Sequence, residues 1–280
     1  MAPLLKIRAE RDQMSAIERR IADFLLENAH LLRDYSSQQL ADALQISQSS
    51  VVKFSQKLGF KGYPDLKYSV GEAVARSSGA QASSHAKASR AASREALAES
   101  LWQSKGRAEE ETRVINGPEK LNEIASLLGR ASKVFCIGVG EDSTAAQSFA
   151  QRLTLTGAAV FHHGDPVLMS AAISSASRGD VLMVFSEHGQ NAGLAQLLRQ
   201  FRERQGKVVS VTRHTSNPLR AHADVALLVS AHDERAHIEP LLYQCAQQHL
   251  LDQIFVLTCD GDRLERFNST LEQVRQIRED

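Results

Sequence analysis

The stretch from Ser36 to Gly62, SSQQLADALQISQSSVVKFSQKLGFKG, restricts the fold more than any other part of the chain. Its apolar residues recur at helical spacing in two short runs: Leu40, Ala41 and Leu44, then Val51, Phe54 and Leu58. Helices this short are marginal alone, so the two faces must bury each other. Ser36 or Ser37 is placed to cap the first helix, with Gln39 closing a capping box on Ser36, and Ser47 caps the second. That leaves Gln45 and Ile46 for the turn. Gly59 supplies the left-handed residue that ends the second helix after the inward-facing Leu58. The pattern predicts a helix-turn-helix.

Packing of this kind turns Gln48, Ser49, Val52, Lys53, Gln56 and Lys57 outward on the second helix. Gln pairs with adenine, Lys reaches guanine O6 and N7, Ser suits either, and Val meets a thymine methyl. No acidic residue lies between Asp42 and Asp65, while Lys53, Lys57 and Lys61 supply positive charge along the path of a phosphate backbone. With Ser37, Ser47 and Ser50 at the helix starts, these residues form the candidate DNA-binding set. The alternative is a solvated helical hairpin in a larger bundle, and the acid-free face argues against it.

Residues Ser15 to about Ala75 carry A-D-F-L-L-E-N, then S-x-x-x-L-A, then S-Q-S-S-V-V-K-F-x-x-K-L-G-F-K-G-Y-P-x-L-K. In these motifs the chain resembles the amino-terminal domain of the RpiR family of bacterial transcriptional regulators. Members usually carry Arg where this chain has Lys53, a change that keeps the charge and gives up the planar fork suited to guanine. Ahead of the motif, Ser15 with Glu18 makes another capping box, and Ile17, Ile21, Phe24 and Leu25 form an apolar stripe for a supporting helix. Behind it, Tyr63-Pro64 reads as a break, with a further helix over Asp65 to Ala75.

Lys plus Arg and Asp plus Glu both number 33, so whole-chain charge says nothing about nucleic acid. The distribution is more telling. Residues 1–76 hold 11 basic and 9 acidic side chains, a net of +2; residues 77–113 carry +1, and the remainder −3. A weakly basic head on a weakly acidic body suits a DNA-binding module joined to one that does not bind DNA. Three cysteines, Cys136, Cys245 and Cys259, show no metal or redox spacing and read as buried thiols in a reducing cytoplasm. The start, MAPLLKIRAERDQ, turns charged too soon for a signal peptide, and no apolar run approaches the ~18 residues of a membrane span. From Arg76 to Arg94 the chain is rich in Ser and Ala without acids and reads as a flexible or weakly helical linker. Leu97, Leu101 and Trp102 signal the return of order, and Pro118 opens a helix through Leu128.

From Lys133 onward, five apolar runs of strand length alternate with helical patterns: Val134–Ile137, Ala159–Phe161, Val181–Phe185, Val208–Val211 and Val225–Val229. This alternation predicts a five-stranded parallel sheet covered on both faces, a three-layer α/β architecture of flavodoxin-like type. Ile238 to Leu257 is a helix with more apolar residues than one face needs, so part of it suits a second subunit. Leu264, Phe267, Leu271 and Val274 mark a last packing helix. The expected organisation is an all-α helix-turn-helix domain at 1–76, a linker and connecting helix at 77–113, an α/β domain at 114–260, and a C-terminal helix at 261–280.

In such a sheet, ligands bind beyond the carboxyl ends of the strands. Two turns stand out there: Gly138-Val139-Gly140-Glu141-Asp142-Ser143 and Ser186-Glu187-His188-Gly189-Gln190-Asn191. With the Arg178-Gly179-Asp180 lead-in, they make residues from about Asn116 to Cys259 resemble the SIS domain, the sugar isomerase fold that binds phosphosugars and forms the carboxy-terminal half of RpiR regulators. The resemblance implies ligand contacts from Gly138, Gly140, Asp142, Ser143, Ser186, Glu187, His188, Gly189 and Asn191. Phosphosugar-binding members typically read G-x-G-x-S and S-x-S-G-x-T or S. Here Asp142 stands at the first serine position, His188 at the second serine of the second turn, and Asn191 at its last hydroxyl.

Three readings of the site stay open. Ser143 and a protonated His188 restore a phosphosugar site; Glu141, Asp142 and Glu187 partner a neutral or amino-bearing ligand; or the acids merely complement a helix dipole. A dinucleotide fold is a poor rival, because G-x-G-x-x-S lacks the third glycine and no acid follows His163 in time. His162, His163, His232 and His237, with Asp233 and Glu234, match no metal-ligand frame and read as solvated loop residues. An isomerase or hydrolase needs a general base, for which Glu187 and His188 are the candidates, neither with an orienting partner evident in sequence. A SIS fold that only dimerises is the third class.

The expected whole is a cytoplasmic RpiR-type regulator without enzymatic activity, cofactor or metal. Its partners are double-stranded DNA carrying an inverted-repeat operator, a sugar or sugar phosphate effector, and further copies of itself in a homodimer or homotetramer, with no membrane.

Overall fold

A computed structural model describes residues 3–11, 14–29, 32, 35–73, 94–215, 217–233 and 235–279. The chain divides into two compact units, Met1–Gln103 and Ser104–Asp280. The expected linker between residues 76 and 93 lies outside the described residues, as does Glu234.

The first unit is helical: α1 (Pro3–Glu10), α2 (Ala16–Glu27), α3 (Ser37–Ala43), α4 (Gln48–Lys57) and α5 over residues 63–73. Ile7, Ile21, Leu25, Leu40, Val51, Phe54, Leu58, Leu66 and Val70 close one core between them. Each large aliphatic or aromatic side chain buried there contributes about 1.5–3 kcal/mol relative to exposure. Both expected capping boxes form, Ser15 with Glu18 and Ser36 with Gln39, and the Ser47 hydroxyl accepts from the Ser50 N–H. Four details differ from expectation. Leu44 caps α3 and joins the turn, where Gln45 is left-handed (φ 51°). Ile17 sits on the solvent side of α2, 45% exposed. Tyr63 and Pro64 lie inside the first turn of α5, because the Asp65 carboxylate accepts the Lys61 N–H and a proline costs nothing where no N–H is needed. The short helix α1 had no counterpart in the sequence reading.

Helix α6 (Arg94–Ile115) continues into the second unit. Order returns here as expected, although Leu97 and Trp102 are exposed at 55% and 73%, while Ser104, Ala108, Thr112 and Ile115 are the buried positions. After it come α7 (Pro118–Arg130), β1 (Val134–Ile137), α8 (Glu141–Leu155), β2 (Val160–Phe161), α9 (Pro166–Ser174) and β3 (Val181–Phe185). Then follow α10 (Ala192–Glu203), β4 (Lys207–Arg213), α11 (Pro218–His222), β5 (Val225–Val229), α12 (Glu239–Thr258) and α13 (Gly261–Glu279).

All five strands are parallel, in the order β2-β1-β3-β4-β5, which is the flavodoxin-like arrangement expected. Phe135, Ile137, Leu182, Val184 and Val208 face α9, α10 and α11. Alternate residues face the other way, where Phe185 meets Phe149 of α8 and Arg213 meets Tyr243 of α12. The edge strand β5 is closed by side chains rather than by another strand. Asn116 Oδ1 accepts the Leu228 N–H and its Nδ2 donates to the Leu228 carbonyl, while Thr112 Oγ1 accepts the Ser230 N–H. Paired this way, the edge has fewer free groups to recruit another chain.

Candidate functional site

The outer face of α4 is built as its caps and core dictate. Val51, Phe54 and Ser55 are buried, so Gln48, Ser49, Lys53 and Gln56 stand in solvent with Val52 half-buried among them. These five residues line one concave face of about 420 Å³. The flanking serines are partly spent on architecture. Ser47 Oγ meets the hydroxyls of Ser49 and Ser50, and Ser37 Oγ accepts from Gln48 Nε2 at 2.9 Å. Lys57 differs from its expected role as a free phosphate contact. Its ammonium lies 2.9 Å from both carboxylate oxygens of Glu18, and that hydrogen bond, ahead of the one from the Ser15 N–H, holds the Glu18 carboxyl below its ordinary value. Lys53 and Lys61 remain exposed.

In the second unit, β1 pairs with β3, and the chain leaves β1 toward β2 on one side and returns to β3 on the other. The two conspicuous turns, 138–143 and 186–191, therefore open side by side at the topological switch point. Gly138 is buried there, and a Cβ on it would fall 2.5 Å from the Asp142 carbonyl carbon, so only glycine lets α8 start so close to the strand. Gly140 (φ 63°) precedes α8 and offers no side-chain cap. Gly189 (φ 62°) is packed against Asn217, and Asn191 caps α10 by accepting the Leu194 N–H at 3.0 Å. Asn191 thus does the capping work of the hydroxyl it stands for.

A carboxylate joins the two turns: Asp142 Oδ2 accepts the Glu187 N–H at 3.0 Å. Burial, and then the charges of Glu187 and Glu141, push the Asp142 carboxyl above its ordinary value, against the Glu187 N–H and His188. Ser143 is half-buried, His188 is exposed, and the Ser186 hydroxyl accepts the Gly189 N–H at 3.2 Å. The Glu187 carboxylate accepts from Arg213 at the end of β4, whose guanidinium also donates to the Ala231 carbonyl and to Glu239 Oε1, both at 2.7 Å. Arg213 lies 5.4 Å from the centroid of the Tyr243 ring, whose hydroxyl burial drives well above its ordinary pKa. Arg213 is the residue the sequence reading missed. Its ion pair engages the Glu187 carboxylate, which the sequence reading had left without a partner.

Elsewhere the histidines stay apart. His162 Nδ1 contacts the Cys136 carbonyl, His163 and His237 are exposed, and His232 lies 3.9 Å from Glu239. Among the described residues no three His, Cys, Asp or Glu gather as metal ligands. Cys136 is buried as expected; Cys245 and Cys259 are half-buried, and Cys245 Sγ contacts Glu109 Oε1 at 3.1 Å. No described helix is long and apolar enough to cross a membrane.

Known proteins bear on both units. The helix-turn-helix domain model of the rpiR family matches residues 1–77, and the SIS domain model matches 127–257. A relative from Escherichia coli strain K12, the uncharacterized HTH-type transcriptional regulator YfhH, is 30% identical over 263 residues, covering 94% of this chain and 93% of its own. The chain belongs to the RpiR family. It is an RpiR-type DNA-binding transcriptional regulator, with an amino-terminal helix-turn-helix and a carboxy-terminal SIS domain. Among solved RpiR-like folds, Vibrio vulnificus NanR, solved with ManNAc-6P, aligns over 98% of this chain and 97% of its own at 20% identity and a TM-score of 0.60. The sugar isomerase domain of the Sphaerobacter thermophilus RpiR transcription factor aligns over 64% of this chain and 98% of its own at 19% identity and a TM-score of 0.53. Both share the fold of this RpiR regulator.

Proposed function

We propose that α4 enters the major groove of an operator, with Gln48, Ser49, Val52, Lys53 and Gln56 toward the bases and Ser37, Ser47, Ser50, Lys57 and Lys61 at its flanks. The observation that carries this reading is the exposed face of α4, free of acids and edged by lysine. The effector is a small molecule of sugar class bound at the switch point between the 138–143 and 186–191 turns. NanR, solved with a phosphorylated amino sugar, supports that class of ligand for this fold. Binding rather than turnover is favoured because the carboxylate best placed as a base, Glu187, is committed to Arg213. The working unit is a homodimer, for which the exposed Val256 and Leu257 of α12 and Leu264 of α13 offer apolar surface.

Selection of binding sites from a random double-stranded pool tests the DNA reading. The expected product is one enriched inverted repeat, with Gln56→Ala relaxing preference at one base position per half-site at about 1–3 kcal/mol. Enrichment of no sequence over background would overturn it.

A further inference from the structure

We infer that Asp142 is a specificity-determining residue: its carboxylate fills the Glu187 backbone N–H that an anionic ligand group would take, so the site rejects phosphorylated sugars in favour of neutral or amino-bearing ones. The inference rests on the proposed effector site and names its ligand class.

The Glu187 N–H opens the β3–α10 turn at the carboxyl end of a central strand, where backbone N–H groups are receptors for anions. Here a side chain already occupies it, at an ordinary hydrogen-bond distance of 3.0 Å. The occupant is held in place. A Cβ on Gly138 would fall 2.5 Å from the Asp142 carbonyl carbon, so the backbone that carries this carboxylate starts α8 tightly against the end of β1. A phosphate arriving at the opening would therefore displace an anion or sit beside it, and Glu141 adds a further negative charge on the same turn.

Relief by a cation is not at hand within the described site. Arg213 answers Glu187 and Glu239 and donates to the Ala231 carbonyl, and it is 9% exposed. His188, on the 186–191 turn itself, is exposed to solvent, where any charge it carries is screened. A ligand hydroxyl or ammonium, in contrast, finds acceptors in the second oxygen of Asp142 and in Glu141 Oε1, the other oxygen of Glu141 accepting from Gln244 at 2.8 Å.

The test uses the full-length protein with inorganic phosphate and with paired probes: glucose, glucosamine and N-acetylmannosamine, each with its 6-phosphate, followed by calorimetry and thermal shift. Asp142→Ser removes the occupant. Asp142→Asn keeps an acceptor on the Glu187 N–H and removes the charge. The expected result is that phosphate or a sugar phosphate binds Asp142→Ser at least about tenfold more tightly than the unsubstituted protein, with a smaller gain in Asp142→Asn. A native protein that prefers a sugar 6-phosphate over its parent sugar overturns the inference. So does an Asp142→Ser protein that gains nothing, or an equal gain in both variants, which would make charge and not occupancy the cause. If Asp142→Ser gains phosphate affinity while neither protein binds any sugar, the role of Asp142 stands and the sugar-class effector falls.

Discussion

Replacing Arg213 by methionine takes away a guanidinium that serves two carboxylates and a carbonyl at once, and leaves Glu187 and Glu239 near each other without a counter-charge. Removing one partner of a fully buried pair costs about 3–5 kcal/mol; the 22% and 30% exposure of the two glutamates lowers the expectation to roughly 2–4 kcal/mol. Urea unfolding measures it, and Arg213→Lys recovers little, since an ammonium lacks the fork that spans both acids. At Asp142 the sign reverses. Its carboxyl is raised in the folded protein and ordinary in the unfolded chain, so the folded state holds the proton more firmly. Ionisation therefore opposes folding, the penalty is complete above the raised pKa, and it fades as pH falls through that value toward the unfolded one. Asp142→Asn should accordingly raise the melting temperature by about 1–3 °C at neutral pH, with the gain shrinking as the solution is acidified. A gain that grew with acid would contradict the assignment.

At the scale of the element, α4 separates two lysines that look alike in sequence. Lys53 is exposed, whereas Lys57 is engaged by Glu18 before any DNA arrives. Each phosphate neutralised contributes about 0.9 to the slope of log affinity against log salt. Of the two flanking lysines, Lys61→Ala should thus flatten that slope by nearly one and Lys57→Ala, already paired with Glu18, by clearly less; fluorescence anisotropy across a salt series reads both. The contrast also explains what the sequence could carry. Caps and apolar spacing act within four residues, so both capping boxes, Gly59 and the strand alternation were legible, and the alternation in turn placed the two glycine turns at the carboxyl ends of strands. The pairing of Lys57 with Glu18 spans 39 residues, and Arg213 meets partners 26 residues away in both directions, distances over which a linear pattern says nothing. Gln45 was opaque for a different reason: its left-handed turn is imposed by α3 and α4 packing, without the glycine that would have announced it. Trp102 and Leu97 marked the ordered helix α6 but not its buried side, because an apolar residue on a helix marks a face, and only packing decides whether that face is covered.

On the scale of the whole molecule, a helix-turn-helix of this size reads too few base pairs to be selective alone, and two-fold pairing doubles the site. The proposed homodimer demands half-sites about 34 Å apart or a multiple of it, one face of the duplex for both recognition helices. Inserting about 5 base pairs between half-sites rotates one of them to the opposite face, and inserting about 10 returns it. Gel-shift affinity should collapse with the first insertion and recover in part with the second; equal affinity for all three spacings would mean independent heads on independent sites. The effector then needs only to favour one spacing over the other. A differential of ~1–3 kcal/mol shifts operator affinity by about 5- to 150-fold, and by linkage the operator shifts effector affinity by the same factor. That reciprocity ties the two units together experimentally: whichever sugar moves the gel-shift midpoint must bind more tightly, or more weakly, by an equal factor once operator DNA is present. A sugar that binds the protein with an affinity indifferent to operator is a ligand of the SIS fold without being its regulatory signal.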